Sequence, residues 1–212
     1  MKKNKKRPSI LIPLFWGSLW GIAEATLGHL LHISKIPGLA GSLMFPIALF
    51  FMVKAYSMTG RHSTILFTSC AAASLKFFDI FISPHDLFSV LNPMISILCE
   101  SLVLVLFLKA WKKQLFSKFL PVFTLVLGWK LIYSTVIFSL SHLFTVKSFF
   151  DLGSTRFLSF FIVESLASSL IVFLFFKVQP FSFKSSFYHP KKIHYFLTAG
   201  VYILAVFIET MV

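Results

Sequence analysis

Charge is what this chain has least of. Only 13% of its 212 residues are Asp, Glu, Lys or Arg, about half the share of a soluble domain. Acids are scarcer still, 7 against 20 lysines and arginines. Cysteine occurs twice, as Cys70 and Cys99, both inside apolar runs. Two such thiols make neither a disulfide framework nor a metal-ligand pattern. There is no phosphate-cradling glycine loop, no H-E-x-x-H and no G-x-S-x-G. These absences exclude a soluble globular protein, a disordered chain and a secreted disulfide scaffold. They also lead to the expectation of no enzymatic activity, no cofactor and no metal centre.

Apolar residues are abundant, at 57%, and Phe alone occurs 28 times. Seven apolar runs can be read, over residues 10–31, 39–56, 63–82, 91–111, 119–144, 156–176 and 193–212. At 1.5 Å per residue each is long enough for a hydrocarbon core of about 30 Å. None alternates with period 2, which excludes barrel strands. The expected fold is all-α, a polytopic bundle of six or seven transmembrane helices forming one domain over residues 1–212.

The net charge of +13 is distributed by topology. The N-terminus and the second, fourth and sixth connections hold fifteen lysines and arginines, among them Lys2, Arg7, Lys54, Lys109 and Lys177. The opposite connections hold three, Lys35, Lys147 and Arg156. That asymmetry puts the N-terminus in the cytoplasm of a bacterial inner membrane and removes nucleic acid as a partner. A competing reading of the start is a signal peptide, with Ala23-Glu24-Ala25 imitating a cleavage site. The apolar stretch continues past Ala25, which favours a span.

Ionisable residues inside spans cost about 2.5–3.5 kcal/mol each at the helix centre. Glu24, Lys76, Asp79, Glu100, Lys130 and Glu164 stand there, with Glu209 near the outer end of the last span. Even five of these charges facing lipid would cost on the order of 12–18 kcal/mol, so they are expected to face one another, water or a ligand. Most fall between the midplane and the outer surface, together with His29, His32 and Asn92. That one-sidedness points to a pocket open to the outside.

Helical spacing groups these residues. Gly17, Gly21, Glu24 and Gly28 lie on one stripe, as do Ser69, Ala72, Lys76 and Asp79, and Asn92, Ser96 and Glu100. Plainer roles remain open. Lys76 and Asp79 are placed to neutralise each other, and Lys130 to pair with Glu100 or Glu164. Asn92 before Pro93 has the form of an N-cap followed by proline at the first helical position. His29 and His32 suit an interface as well as a ligand, and Gly17 and Gly21 suit packing.

The stretch from Gly17 to His29, the segment 71–79, and Asn92-Pro93 leading to Glu100 are similar to patterns in S components, the substrate-binding membrane subunits of energy-coupling factor (ECF) transporters. The resemblance covers about the first six spans. It implies a micronutrient captured from outside and released after docking on a transmembrane coupling subunit driven by two ATPases. The family's A-x-x-x-A docking pattern would fall on Gly17 and Gly21, with Ala25 one step on. The departures are a seventh span and glycines in place of alanines. The expected substrate site is Glu24, His29, Lys76, Asp79, Asn92, Glu100, Lys130 and Glu164, with a cationic or amine-bearing solute favoured by four acids against two lysines. Alternatives are a secondary or proton-linked transporter acting alone, and a structural or metal-binding membrane protein.

Overall fold

The computed structural model describes residues 10–36, 38–78, 87–111, 116–144, 154–178 and 195–211. Among the described residues the regular structure is entirely helical. Helix α1 (Leu11–Ala23) continues through a five-residue π-helical turn, Glu24–Gly28, into α2 (His29–Ile33). Then come α3 (Leu39–Thr59), α4 (His62–Lys76), α5 (Leu87–Trp111) and α6 (Phe119–Phe144). Helix α7 (Ser154–Leu158) passes through a second π-helical turn, Ser159–Val163, into α8 (Glu164–Val178). The last is α9 (Tyr195–Met211).

Four of these helical stretches are long and apolar enough to cross a membrane: Leu39–Thr59, Val90–Trp111, Phe119–Leu143 and Thr155–Val178. Tyr195–Met211 is apolar but shorter. The α4 helix has 15 residues, about 22 Å at 1.5 Å per residue. Lys76 is therefore its last helical residue, and Phe77 and Phe78 already turn away, with the Phe78 N–H bonded to the Leu75 carbonyl at 3.0 Å. Lys76 thus stands at the end of α4, and the stretch of the expected span from 79 to 82 lies outside the described residues.

The α3–α4 connection is tight. Gly60 closes α3 at φ +66° and donates to the Tyr56 carbonyl at 2.7 Å, a left-handed cap that favours glycine. Arg61 is extended, and the hydroxyls of Thr59 and Thr64 meet at 2.7 Å across the turn. The two helices therefore leave as an antiparallel hairpin.

Packing runs as a ring. The sequence of neighbours is α1, α4, α5, α6, α8, α3 and back to α1, with α3 also against α4. Helix α9 lies outside this ring, packed mainly on α1. Bulky side chains such as Trp20, Phe45, Met52, Leu104 and Leu125 fill the centre. Phe45 stacks on Trp129 with centroids 5.5 Å apart. Much of the outer face is Leu, Ile and Phe, the surface a lipid-facing bundle presents. Helix contacts in such a setting depend on close packing and polar links, and the buried Ser69–Ser101 hydroxyl bond of 2.7 Å is one between α4 and α5.

Proline supplies another link. Pro46 lies inside α3, so the Ser42 carbonyl four residues back has no helical N–H donor. Ser168 on α8 donates its hydroxyl to that carbonyl at 2.9 Å. This joint fixes α8 against the first turns of α3, one turn from Glu164.

Candidate functional site

Two groups of buried or half-buried charge emerge, one on each side of the ring. The first depends on α1 and α4 lying unusually close. A Cβ on Gly17 would stand 2.5 Å from the Thr68 carbonyl oxygen and 2.6 Å from the Ala71 Cβ, and one on Gly21 would run into the Leu75 side chain. One turn beyond Gly21, this proximity brings Glu24 within interaction range of the Lys76 ammonium. Lys76 in turn forms an ion pair with Glu209 of α9. From α5, Glu100 is buried, accepts a hydrogen bond from Ser96 Oγ at 3.2 Å, and has the Glu24 carboxyl as its charged neighbour. Trp20 is wholly buried beside Glu24, with its indole N–H near that carboxyl but short of full hydrogen-bond geometry.

The second group centres on Lys130 of α6, which is fully buried. Its ammonium donates to the Phe160 carbonyl at 2.5 Å and to Glu164 Oε2 at 3.4 Å. It also lies over the Phe160 ring, 4.2 Å from the centroid, and 5.9 Å from that of Trp129. Phe160 sits in the second π-helical turn, where the Glu164 N–H bonds to the Ser159 carbonyl. An α-helical turn would have bonded it to Phe160. The Glu164 carboxylate rests on the first turn of α3, where Gly38 and Gly41 leave it room.

Between the groups, the Tyr133 hydroxyl donates to Asn92 Oδ1 and interacts with Glu100. The Tyr133 ring lies 5.9 Å from that of Trp129. The result is a string of polar contacts from Glu209 on α9 to Glu164 on α8. It is not a single shared cluster.

Several expected site residues change role. Asn92 is not an N-cap: α5 begins at Leu87, and the Asn92 side chain is turned across to Tyr133 on α6. His29 is exposed. Asp79 and the tail of that span lie outside the described residues, as does the whole N-terminal lysine run. Lys130 takes Glu164, the second of its two anticipated partners. Lys76 takes Glu209, an acid noted in sequence but not assigned to it. Gly17, Gly21 and Ala25 are buried, and the two glycines are packed on α4 within the chain. A second subunit would have to displace α4 to reach them, so they are not an open docking stripe.

No protein-family model, no curated protein and no solved structure matches the chain. Its chemistry must be read from the site alone. Among the described residues, no three of His, Cys, Asp and Glu converge as metal ligands. Four described carboxylates, on Glu24, Glu100, Glu164 and Glu209, face two ammoniums, on Lys76 and Lys130. The interior thus carries more acid than base, and the excess is concentrated where Glu24 and Glu100 are neighbours.

Residues that the sequence reading did not single out complete the picture. Tyr133, Trp20, Trp129 and the Phe160 carbonyl have no motif that marks them. Gly38 and Gly41 did carry a signal, two glycines three apart at a helix start.

Proposed function

We propose that the chain is a solute-binding membrane protein, with six or seven of its helical rods crossing a bacterial cytoplasmic membrane and its N-terminus on the cytoplasmic side. The lysine and arginine asymmetry of the connections supports that orientation. In this reading a small cationic solute enters from outside and is held by the acidic surplus at Glu24 and Glu100. The observation that carries it is that neighbourhood of two carboxylates in a bundle interior, where unpaired charge is costly and serves function by default. The resemblance to S components extends the proposal to partners, a coupling subunit and two ATPases that would drive release.

A second reading has its own support. Gly17 and Gly21 are consumed by α1–α4 packing, which favours a carrier that works alone, coupled to an ion gradient.

One preparation tests both. Protein extracted from native membranes should carry a small cationic molecule detectable by mass spectrometry, and the Glu24→Gln, Glu100→Gln double variant should lose it. Equal recovery from both proteins, or none from either, ends the role of Glu24 and Glu100 in holding the solute. Co-purification of an ATPase separates the importer subunit from the lone carrier, which should instead transport when reconstituted by itself.

A further inference from the structure

The surroundings of Lys130 are more elaborate than a counter-ion needs. A buried ion pair is often no more stabilising than an apolar pair of the same shape. Here the ammonium has a carboxylate, a backbone carbonyl and an aromatic face at once. Those are the groups that recognise a free alkylammonium ion, through charged hydrogen bonds and ring quadrupoles.

Two backbone features serve this arrangement. The π-helical turn leaves the Phe160 carbonyl without the Glu164 N–H, so the helix gives up one of its own bonds at the point where the ammonium docks. Turns of this kind are frequent at functional sites. Gly38, at φ +76°, and Gly41 then clear the space for the Glu164 carboxylate. Access is unequal as well. The Glu164 side chain is 11% exposed and that of Lys130 is 0%. The carboxylate belongs to the less buried member of the pair, and the lysine to the more deeply enclosed one.

We infer that Glu164, the Phe160 carbonyl and ring, and the Trp129 face form a binding site for a primary ammonium group, which Lys130 fills as a tethered competitor until a solute amine displaces it. This rests on the reading of the chain as a binder of cationic solutes. It adds the solute's functional group, a primary amine, and a residue that yields its place.

The test uses the full-length protein in lipid nanodiscs with n-propylammonium chloride as probe. Tetramethylammonium chloride, which has the charge but no N–H, is the control. Lys130→Ala empties the ammonium position and should bind propylammonium at least about tenfold more tightly than wild type, the scale of one charged hydrogen bond. Tetramethylammonium should gain far less, and adding Glu164→Gln should erase the gain. No gain in Lys130→Ala, or an equal gain for both ions, overturns the inference and leaves Lys130 a structural counter-ion. If Lys130→Ala does not fold, Lys130→Met keeps most of the stem and is read the same way. Should both variants fail, wild type decides: saturable, propylammonium-selective binding supports the site, and its absence overturns it. Failures are separable. Loss of the Lys130→Ala gain with co-purified solute intact sinks this inference alone, and the reverse result sinks only the role of Glu24 and Glu100.

Discussion

Ser168 donates its hydroxyl to the carbonyl of Ser42 at 2.9 Å, the carbonyl that Pro46 leaves without a helical donor. The hydrogen bond and the proline explain each other, and they can be tested together. Ser168→Ala strands a half-buried carbonyl and should cost about 1 kcal/mol, the usual scale of an interhelical hydrogen bond in a membrane protein. Pro46→Ala restores the N–H at residue 46, so Ser168→Ala should cost less in that background. Unfolding of the four proteins in mixed micelles measures the coupling. Additive losses would mean that the Ser42 carbonyl does not depend on Ser168.

The fit of Glu164 against α3 makes a sharper prediction. A Cβ on Gly41 would stand too close to Glu164 Oε2, so Gly41→Ala must shift the carboxylate relative to Lys130. Overpacking costs about 1–3 kcal/mol, and separating a buried pair adds to that. Gly200 has open space around its missing Cβ, and Gly200→Ala should leave stability unchanged or raise it slightly through helix propensity. Parallel thermal unfolding of the two variants checks this. A Gly41→Ala protein as stable as Gly200→Ala would refute the close fit.

Much of the helical layout was legible in the sequence, because hydropathy and length report directly on which segments must be helical in lipid. The segments read as 39–56 and 119–144 correspond to α3 and α6 with little adjustment. Errors came where a local signal lost to a tertiary one. Asn92-Pro93 has the form of a helix start, but α5 begins five residues earlier and the asparagine serves Tyr133. The site was legible as a set of residue types and approximate depths, which is why Lys130 and Glu164 could be considered as a pair. Lys76 and Glu209 are 133 positions apart, and spacing along one helix carries no information on which face another helix presents. The two π-helical turns were likewise invisible, since a one-residue shift of backbone bonding leaves no mark on apolar periodicity.

The α1–α4 contact predicts an order between two similar substitutions. Gly17 faces the backbone carbonyl of Thr68 at 2.5 Å from an added Cβ, whereas Gly21 faces the far end of the Leu75 side chain. A carbonyl in a helix cannot move aside without moving the helix, but a leucine can change rotamer at a cost of about 0.5–1.5 kcal/mol. Gly17→Ala should therefore destabilise more than Gly21→Ala, the former by about 1–3 kcal/mol. Equal or reversed losses, measured by unfolding in micelles, would show that the helices do not meet as described.

The ion pair between Lys76 and Glu209 ties α9 to the end of α4. The Glu209 side chain is 2% exposed and that of Lys76 14%, so the carboxylate is the member more dependent on its partner. Lys76→Met removes the cation and leaves Glu209 buried with its charge. Truncating one partner of a buried pair costs about 3–5 kcal/mol, and the partial exposure of Lys76 places the loss towards the lower end of that range. Glu209→Gln should be milder, because the lysine can still interact with Glu24. The double variant should be more stable than Lys76→Met alone, since it removes the stranded charge as well as the pair. A full double-mutant cycle in unfolding free energy checks this ordering. If Lys76→Met and the double variant lose the same stability, Glu209 is not held by Lys76, and α9 is attached to the bundle by its other contacts with α1 and α4.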